Sequence, residues 1–161
     1  MRNERKLIVA ETRRARSDLP LPKGSSVEEI MSRDVLSFQP DTSLQTAVEL
    51  LFERGIGGAP VLDLLGNVVG VLSKTDFVGD RYSGETAAHQ TYGGMAVVEG
   101  ATVSELMTTP PIVVREGTAI TDAAALLVRL KLHRLPVVSA SGGLVGIITT
   151  SDIVRWVAGP P

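Results

Sequence analysis

Two stretches of the chain carry the same order of apolar and polar positions. In the later one, Leu135, Val137 and Val138 form a short apolar run, and Ser141-Gly142-Gly143 is a turn signal. Leu144-Val145-Gly146-Ile147-Ile148 is a second apolar run, rich in β-branched residues. Thr149-Thr150-Ser151-Asp152 follows, with hydroxyls and a carboxylate clustered where a helix opens. The earlier stretch reads Ala59-Pro60-Val61-Leu62, Gly66-Asn67, Val68-Val69-Gly70-Val71-Leu72 and Ser73-Lys74-Thr75-Asp76. Pro60 matches Pro136, Gly66 matches Gly142, Gly70 matches Gly146 and Asp76 matches Asp152, each pair 76 positions apart without a gap. The pattern predicts strand, turn, strand and helix, twice over.

The same offset extends upstream. Ser26-x-x-Glu29 and Thr102-x-x-Glu105 are capping boxes ahead of short helices over Val27–Met31 and Val103–Met107. Val35–Phe38 and Ile112–Val114 read as brief strands. Thr42 and Thr118 are expected to cap the next helices. Leu44, Ala47, Val48, Leu51 and Phe52 share one helical face, as do Ile120, Ala123, Ala124, Leu127 and Leu130. Gly55 reads as the residue just past the first of these helices. Trp156 reads as packing for the last helix or as a dimer contact.

This organisation divides the chain into a basic arm (1–24), repeat one (25–82), a linker (83–101) and repeat two (102–158). The linker region Gly79–Gly100 reads as a long, partly mobile loop, because Gly84, Gly93 and Gly94 are interspersed with polar residues. A unit of about fifty residues buries too little surface to be stable alone. Two copies facing each other share a core, so the duplication predicts a pseudo-twofold pair with equivalent clefts between the halves.

Composition narrows the function. Of 161 residues, 43% are hydrophobic and only 4% aromatic, which favours an interior of Val, Leu, Ile and Ala. The net charge of −2 carries no polyanion signature, so no nucleic acid partner is expected. The arm differs: seven basic residues oppose three acidic ones, a local +4 that suits a solvated or partner-docking segment. There are no cysteines, hence no disulfides or thiolate metal sites. No signal peptide or membrane-length apolar run is evident, so a soluble cytoplasmic protein without membrane contact is expected. His89 and His133 are the only histidines, they are unrelated in pattern, and no metal site is expected. No nucleophile elbow is present, and Gly93-Gly94 lacks the Lys-Ser/Thr of a phosphate loop. No catalysis and no catalytic cofactor are expected.

The segments Gly70-Val-Leu-Ser73-Lys-Thr75-Asp76 and Gly146-Ile-Ile-Thr149-Thr-Ser151-Asp152, each with its upstream Pro-Val, resemble the cystathionine-β-synthase (CBS) domain. Two in tandem resemble a Bateman module, over roughly residues 25 to 157. The resemblance implies an α/β fold: two βαββα-type repeats related by a pseudo-twofold axis, with sheets and helices packed face to face. It also implies a regulatory module that binds an adenine nucleotide (AMP, ADP or ATP) between the repeats. Some relatives take S-adenosylmethionine or NAD instead. Such modules pair into homodimers and gate a partner, whose identity the residues do not give.

An adenine nucleotide needs an apolar slot, an acceptor for the ribose diol and positive groups for phosphate. Val35, Ala59, Ile112 and Leu135 are candidates for the adenine walls. Asp76 and Asp152 are candidates for the ribose, since an ionised carboxylate only accepts hydrogen bonds. Ser73, Thr75, Thr149 and Ser151 flank them at helix starts, where free N–H groups favour phosphate. His133-Arg134 is a basic pair that the resemblance places near phosphate; Gly57-Gly58 stands in its place in repeat one. Gly58 there leaves room for a ligand, or for backbone packing. The same Ser-x-x-Asp and Thr-x-x-Asp spacings are also plain helix caps, worth about 1 kcal/mol each. A ligand-free interaction scaffold is therefore the alternative to a nucleotide sensor.

Overall fold

The computed structural model describes residues 24–77, 89–92 and 95–159. The basic arm therefore lies outside the described residues, apart from its last position. Repeat one contains a single 3-10 turn at Val27–Glu29, helix α1 (Leu44–Glu53), and an antiparallel pair, β1 (Gly58–Leu62) and β2 (Val68–Ser73), followed by a 3-10 turn at Lys74–Phe77. Repeat two contains α2 (Val103–Leu106), β5 (Val114–Arg115), α3 (Ile120–Leu130), β6 (Arg134–Val138), β7 (Leu144–Thr149) and α4 (Thr150–Ala158). Between them lie β3 (His89–Tyr92) and β4 (Met95–Val98), numbered in chain order.

The internal repeat is real in three dimensions. Gly58 pairs with Ser73 and Pro60 with Val71 in repeat one; Arg134 pairs with Thr149 and Pro136 with Ile147 in repeat two. Each partner is displaced by the same 76 positions that relate the sequences. β5 adds to β6 in parallel. Its counterpart in repeat one shrinks to a single parallel bridge from Phe38 to Val61, so the expected strand Val35–Phe38 is almost absent. The expected strand Ile112–Val114 begins instead at Val114.

The two halves exchange their opening segments. Val27 and Met31 of repeat one belong to the core of repeat two, with Val114, Ala123, Leu127, Leu135, Val137 and Ile148. Val103 and Leu106 of repeat two belong to the core of repeat one, with Phe38, Leu44, Val48, Leu51, Val61 and Leu72. Backbone bonds pin the exchange symmetrically. The Val27 amide donates to the Thr118 carbonyl and the Val103 amide to the Thr42 carbonyl, both at 2.9 Å. Ser32 and Ile147 exchange two bonds, and Thr108 and Val71 do the same. Each methionine fills a notch left by a glycine in the other half: Met31 packs on Gly146 and Met107 on Gly70, where a Cβ would collide with the sulfur. Asn67 and Gly143, in the two strand-connecting turns, bridge each other where the halves meet.

Three expectations change on inspection. Thr42 and Thr118 do not cap α1 and α3. Their hydroxyls accept from the amides of Gln39 and Arg115, closing the preceding turns, while their carbonyls hold the exchanged segments. Ser43 caps α1, accepting from the Thr46 amide at 3.1 Å, and Ala119 stands at the equivalent place before α3. The region read as a long loop contains the antiparallel pair β3–β4, with His89 opposite Val98 and Tyr92 opposite Met95. Gly93-Gly94 separates two β-compatible runs, which is itself a hairpin signal; glycine content obscured it. Finally, Phe52 and Leu130 are exposed rather than part of the buried faces of α1 and α3.

Candidate functional site

The cleft between the halves is built from two short ends of chain. From repeat one come the end of β2 and the turn after it: Val71, Ser73, Thr75 and Asp76. From repeat two come the segment before β5, with Thr108, Pro110, Pro111 and Ile112, and the connection from α3 to β6, with Lys131, Leu132, His133 and Arg134. The exchanged backbone bonds between Val71 and Thr108 hold these walls together. The space free of atoms is about 670 Å³, part of it open to solvent.

One wall is acceptor-rich. The Ser73 amide donates to Asp76 Oδ2 at 2.7 Å at the start of the 3-10 turn, and the Ser73 hydroxyl accepts from the Thr75 amide at 3.4 Å. The hydroxyls of Ser73 and Thr75 lie 2.9 Å apart. The opposite wall is cationic. The connection Lys131-Leu132-His133-Arg134 stands where repeat one has Gly55-Ile56-Gly57-Gly58, so three basic side chains replace three glycines. Arg134 is half-buried, and its Nη1 donates to the carbonyl of Gly58 at 2.6 Å. Burial lowers the pKa of its guanidinium from the usual value; a guanidinium nonetheless stays charged in proteins. Among the described residues no carboxylate pairs with Arg134, and the one ion pair is Arg155–Asp152.

Six of the residues singled out from sequence thus meet in one cavity: Ser73, Thr75, Asp76, Ile112, His133 and Arg134. The others lie elsewhere. Ala59 and Leu135, expected as adenine walls, are core residues at 1% and 0% exposure. Their strands are buried on both faces, so neither presents a side chain to the cleft. Val35 is half-buried and outside this lining. Gly58 is buried, and a Cβ there would strike the carbonyl oxygen of Leu72; its glycine serves backbone packing. Thr149, Ser151 and Asp152 occupy the symmetry-related position, outside this cavity. There Asp152 is 7% exposed and caps α4. Its Oδ2 accepts from the Thr149 amide and hydroxyl at 2.8 and 2.7 Å, and Arg155 donates to Oδ1 at 3.3 Å. Lys74, the basic residue of repeat one's motif, places its amine over the Phe52 ring, 4.3 Å from the centroid, and is absent from the lining.

Sequence reading missed Lys131, Thr108 and the Pro110-Pro111 pair. Lys131 had a signal. It aligns with Gly55, the left-handed residue after α1, and itself adopts φ 54° and ψ 38° at the end of α3. A lysine held where glycine is the natural choice points to a use for its charge. Thr108 and the prolines had none, because only the exchange of opening segments carries them to the cleft.

Comparisons with known proteins bear on this geometry. Residues 27–80 and 103–159 match the CBS domain. The CBS domain-containing protein CBSX2, chloroplastic, of Arabidopsis thaliana is 38% identical over 133 residues, which cover 73% of this chain and 56% of the relative. CBSX1, chloroplastic, from the same plant is 36% identical over 148 residues, covering 81% and 63%. The chain therefore spans 56% and 63% of the length of these two curated relatives. Inosine-5'-monophosphate dehydrogenase of Korarchaeum cryptofilum is 31% identical over 126 residues, 78% of this chain but 23% of the enzyme. The crystal structure of CBSX2 in complex with AMP superimposes with a TM-score of 0.66 at 34% identity, covering 82% of this chain and 95% of that one. Both family matches fall on the two copies that the 76-residue offset defines, and the chain belongs to the CBS domain family as a tandem pair.

Proposed function

We propose that this tandem module senses an adenine nucleotide, AMP, ADP or ATP, in the cleft between Asp76 and the Lys131–Arg134 connection. It carries out no chemistry of its own. Occupancy is passed to a regulated partner protein or through the module's own homodimer. The observation that carries this reading is the pairing of walls. A carboxylate with flanking hydroxyls shares the cavity with Lys131, His133 and Arg134, and the half-buried guanidinium meets no carboxylate among the described residues. That arrangement suits a ribose diol at Asp76 and phosphate at the cations, since arginine offers a planar fork for phosphate oxygens. Ile112 and the neighbouring prolines offer an apolar surface to the base. The AMP complex of CBSX2, at 34% identity, supports the choice of ligand class.

Self-association is supported by the apolar residues left exposed on α3 and α4: Val128, Leu130, Val154 and Val157. No helix among the described residues is long and apolar enough to cross a membrane. A ligand reshapes the module only through unequal affinity for two states.

Titration calorimetry of the full chain with AMP, ADP and ATP tests the assignment. Binding is expected, with a rise in melting temperature. Asp76→Asn is expected to weaken binding roughly tenfold or more, because hydrogen bonds to a charged acceptor are worth about 1.5–3 kcal/mol. Asp152→Asn removes an equivalent cap outside the cavity and is the internal control: melting falls, affinity holds. No heat and no thermal shift with any of the three nucleotides would leave only the scaffold reading.

A further inference from the structure

Arg134 begins β6 in repeat two, yet its guanidinium ends in repeat one. Nη1 is bonded to the Gly58 carbonyl, and Nη2 lies only 2.5 Å from the point where a Cβ on Gly57 would stand. Gly57 does not have the positive φ that would itself demand glycine. A side chain there would instead meet the guanidinium and displace it. Its counterpart His133 carries a full side chain. The Gly57 carbonyl in turn accepts from the Lys74 amide at 2.9 Å and from the Ser73 hydroxyl at 3.4 Å, so this seat adjoins the acceptor wall of the cavity. Among the described residues the remaining N–H groups of Arg134 make no other hydrogen bond and meet no carboxylate. A partly desolvated cation held by one carbonyl is poised for an anion.

We propose that Gly57 is a positioning residue: by lacking a side chain it seats Arg134 at the Asp76 cleft, and this commits the module to one phosphorylated ligand per chain. The inference rests on the nucleotide reading and deepens it. Lys131, His133 and Arg134 have no basic counterpart at the matching positions of the symmetry-related crevice, which are Gly55, Gly57 and Gly58. An acidic residue, Asp34, stands where the cavity has Pro110. The seated guanidinium itself fills the space that a side chain at Gly57 would use.

The test is titration calorimetry of the full chain, wild type and the variants Gly57→Ala, Arg134→Ala and the double variant, with AMP and with adenosine. The wild type is expected to take one AMP per chain. Gly57→Ala pushes only the mobile end of Arg134 and is expected to weaken AMP roughly tenfold, the scale of one charge-assisted hydrogen bond. Adenosine is expected to change by less than about twofold, and Gly57→Ala to add nothing once Arg134 is alanine. A general packing defect would weaken both ligands and would persist in the Arg134→Ala background; either result overturns the assignment. Unchanged AMP affinity in Gly57→Ala also overturns it, and two equal AMP sites overturn the single occupancy. If the wild type binds neither AMP nor adenosine, the nucleotide reading itself is refuted and the seat with it.

Discussion

Asp152 and Asp76 occupy equivalent places in sequence and do different work in space. Both accept the amide three residues back, as a capping box requires. Asp76 also lines the cavity, whereas Asp152 is 7% exposed and bridged by Arg155. A third carboxylate, Asp63, orders the turn between β1 and β2. It accepts from the side-chain amide of Asn67 at 3.0 Å and from the backbone amides of Asn67 and Leu65 at 2.8 and 2.9 Å. The Asn67 side chain is the largest influence, and these bonds hold the Asp63 pKa below its ordinary value. A carboxyl whose folded pKa is depressed contributes stability above its unfolded pKa and loses it as pH falls through the folded one. Hydrogen exchange at the Leu65 and Asn67 amides should therefore accelerate below the ordinary carboxylate range, beyond the intrinsic pH dependence. Asp63→Asn should abolish that extra acid sensitivity; an unchanged profile would contradict the turn's dependence on this charge.

At the scale of elements, the helix ends were the least legible. Thr42 and Thr118 satisfy the spacing of a cap, yet each closes the turn before it, because the exchanged segment claims its carbonyl. α1 ends on Gly55 at φ +63°, as expected of a residue beyond the C-cap. α3 ends on Lys131 in the same conformation, and this single strained residue turns the chain into the cleft. Lys131→Gly should leave the fold intact and raise stability slightly, by no more than ~1 kcal/mol, since relief of the left-handed lysine is partly offset by glycine's entropy. The same change should weaken AMP binding by removing a cation. Paired melting and calorimetry would detect the opposed shifts, and a variant that binds AMP as well as the wild type would remove Lys131 from the site.

At the scale of the whole molecule, neither half owns its core. Leu106, 3% exposed, belongs by sequence to repeat two and packs in the core of repeat one. Leu106→Ala should cost about 2–5 kcal/mol, the range for emptying a buried leucine. Because the exchange ties the cores together, the loss should lower one cooperative transition rather than split it. Melting followed by Trp156 fluorescence in repeat two and by far-ultraviolet circular dichroism should coincide in the wild type and in the variant. Two separated transitions would mean that the halves fold independently.

The sequence by itself determined the duplication and the strand pairs, and it marked the acceptor half of the candidate site. Those features rest on local spacing: Gly66-Asn67 and Ser141-Gly142-Gly143 at the turns, short apolar runs on either side of them, and a carboxylate three residues after Ser73 or Thr149. It also marked the two cleft connections as unequal, since Gly57-Gly58 stands against His133-Arg134 at matched positions. Only the tertiary structure decided which walls face each other. Ser73, Asp76 and Arg134 come together because each half lends its opening segment to the other's core, and no periodicity within either half records a contact across the pair. For the same reason Ala59 and Leu135, apolar and well placed in sequence, were drawn into the interior: strands covered on both faces leave no side chain for a ligand.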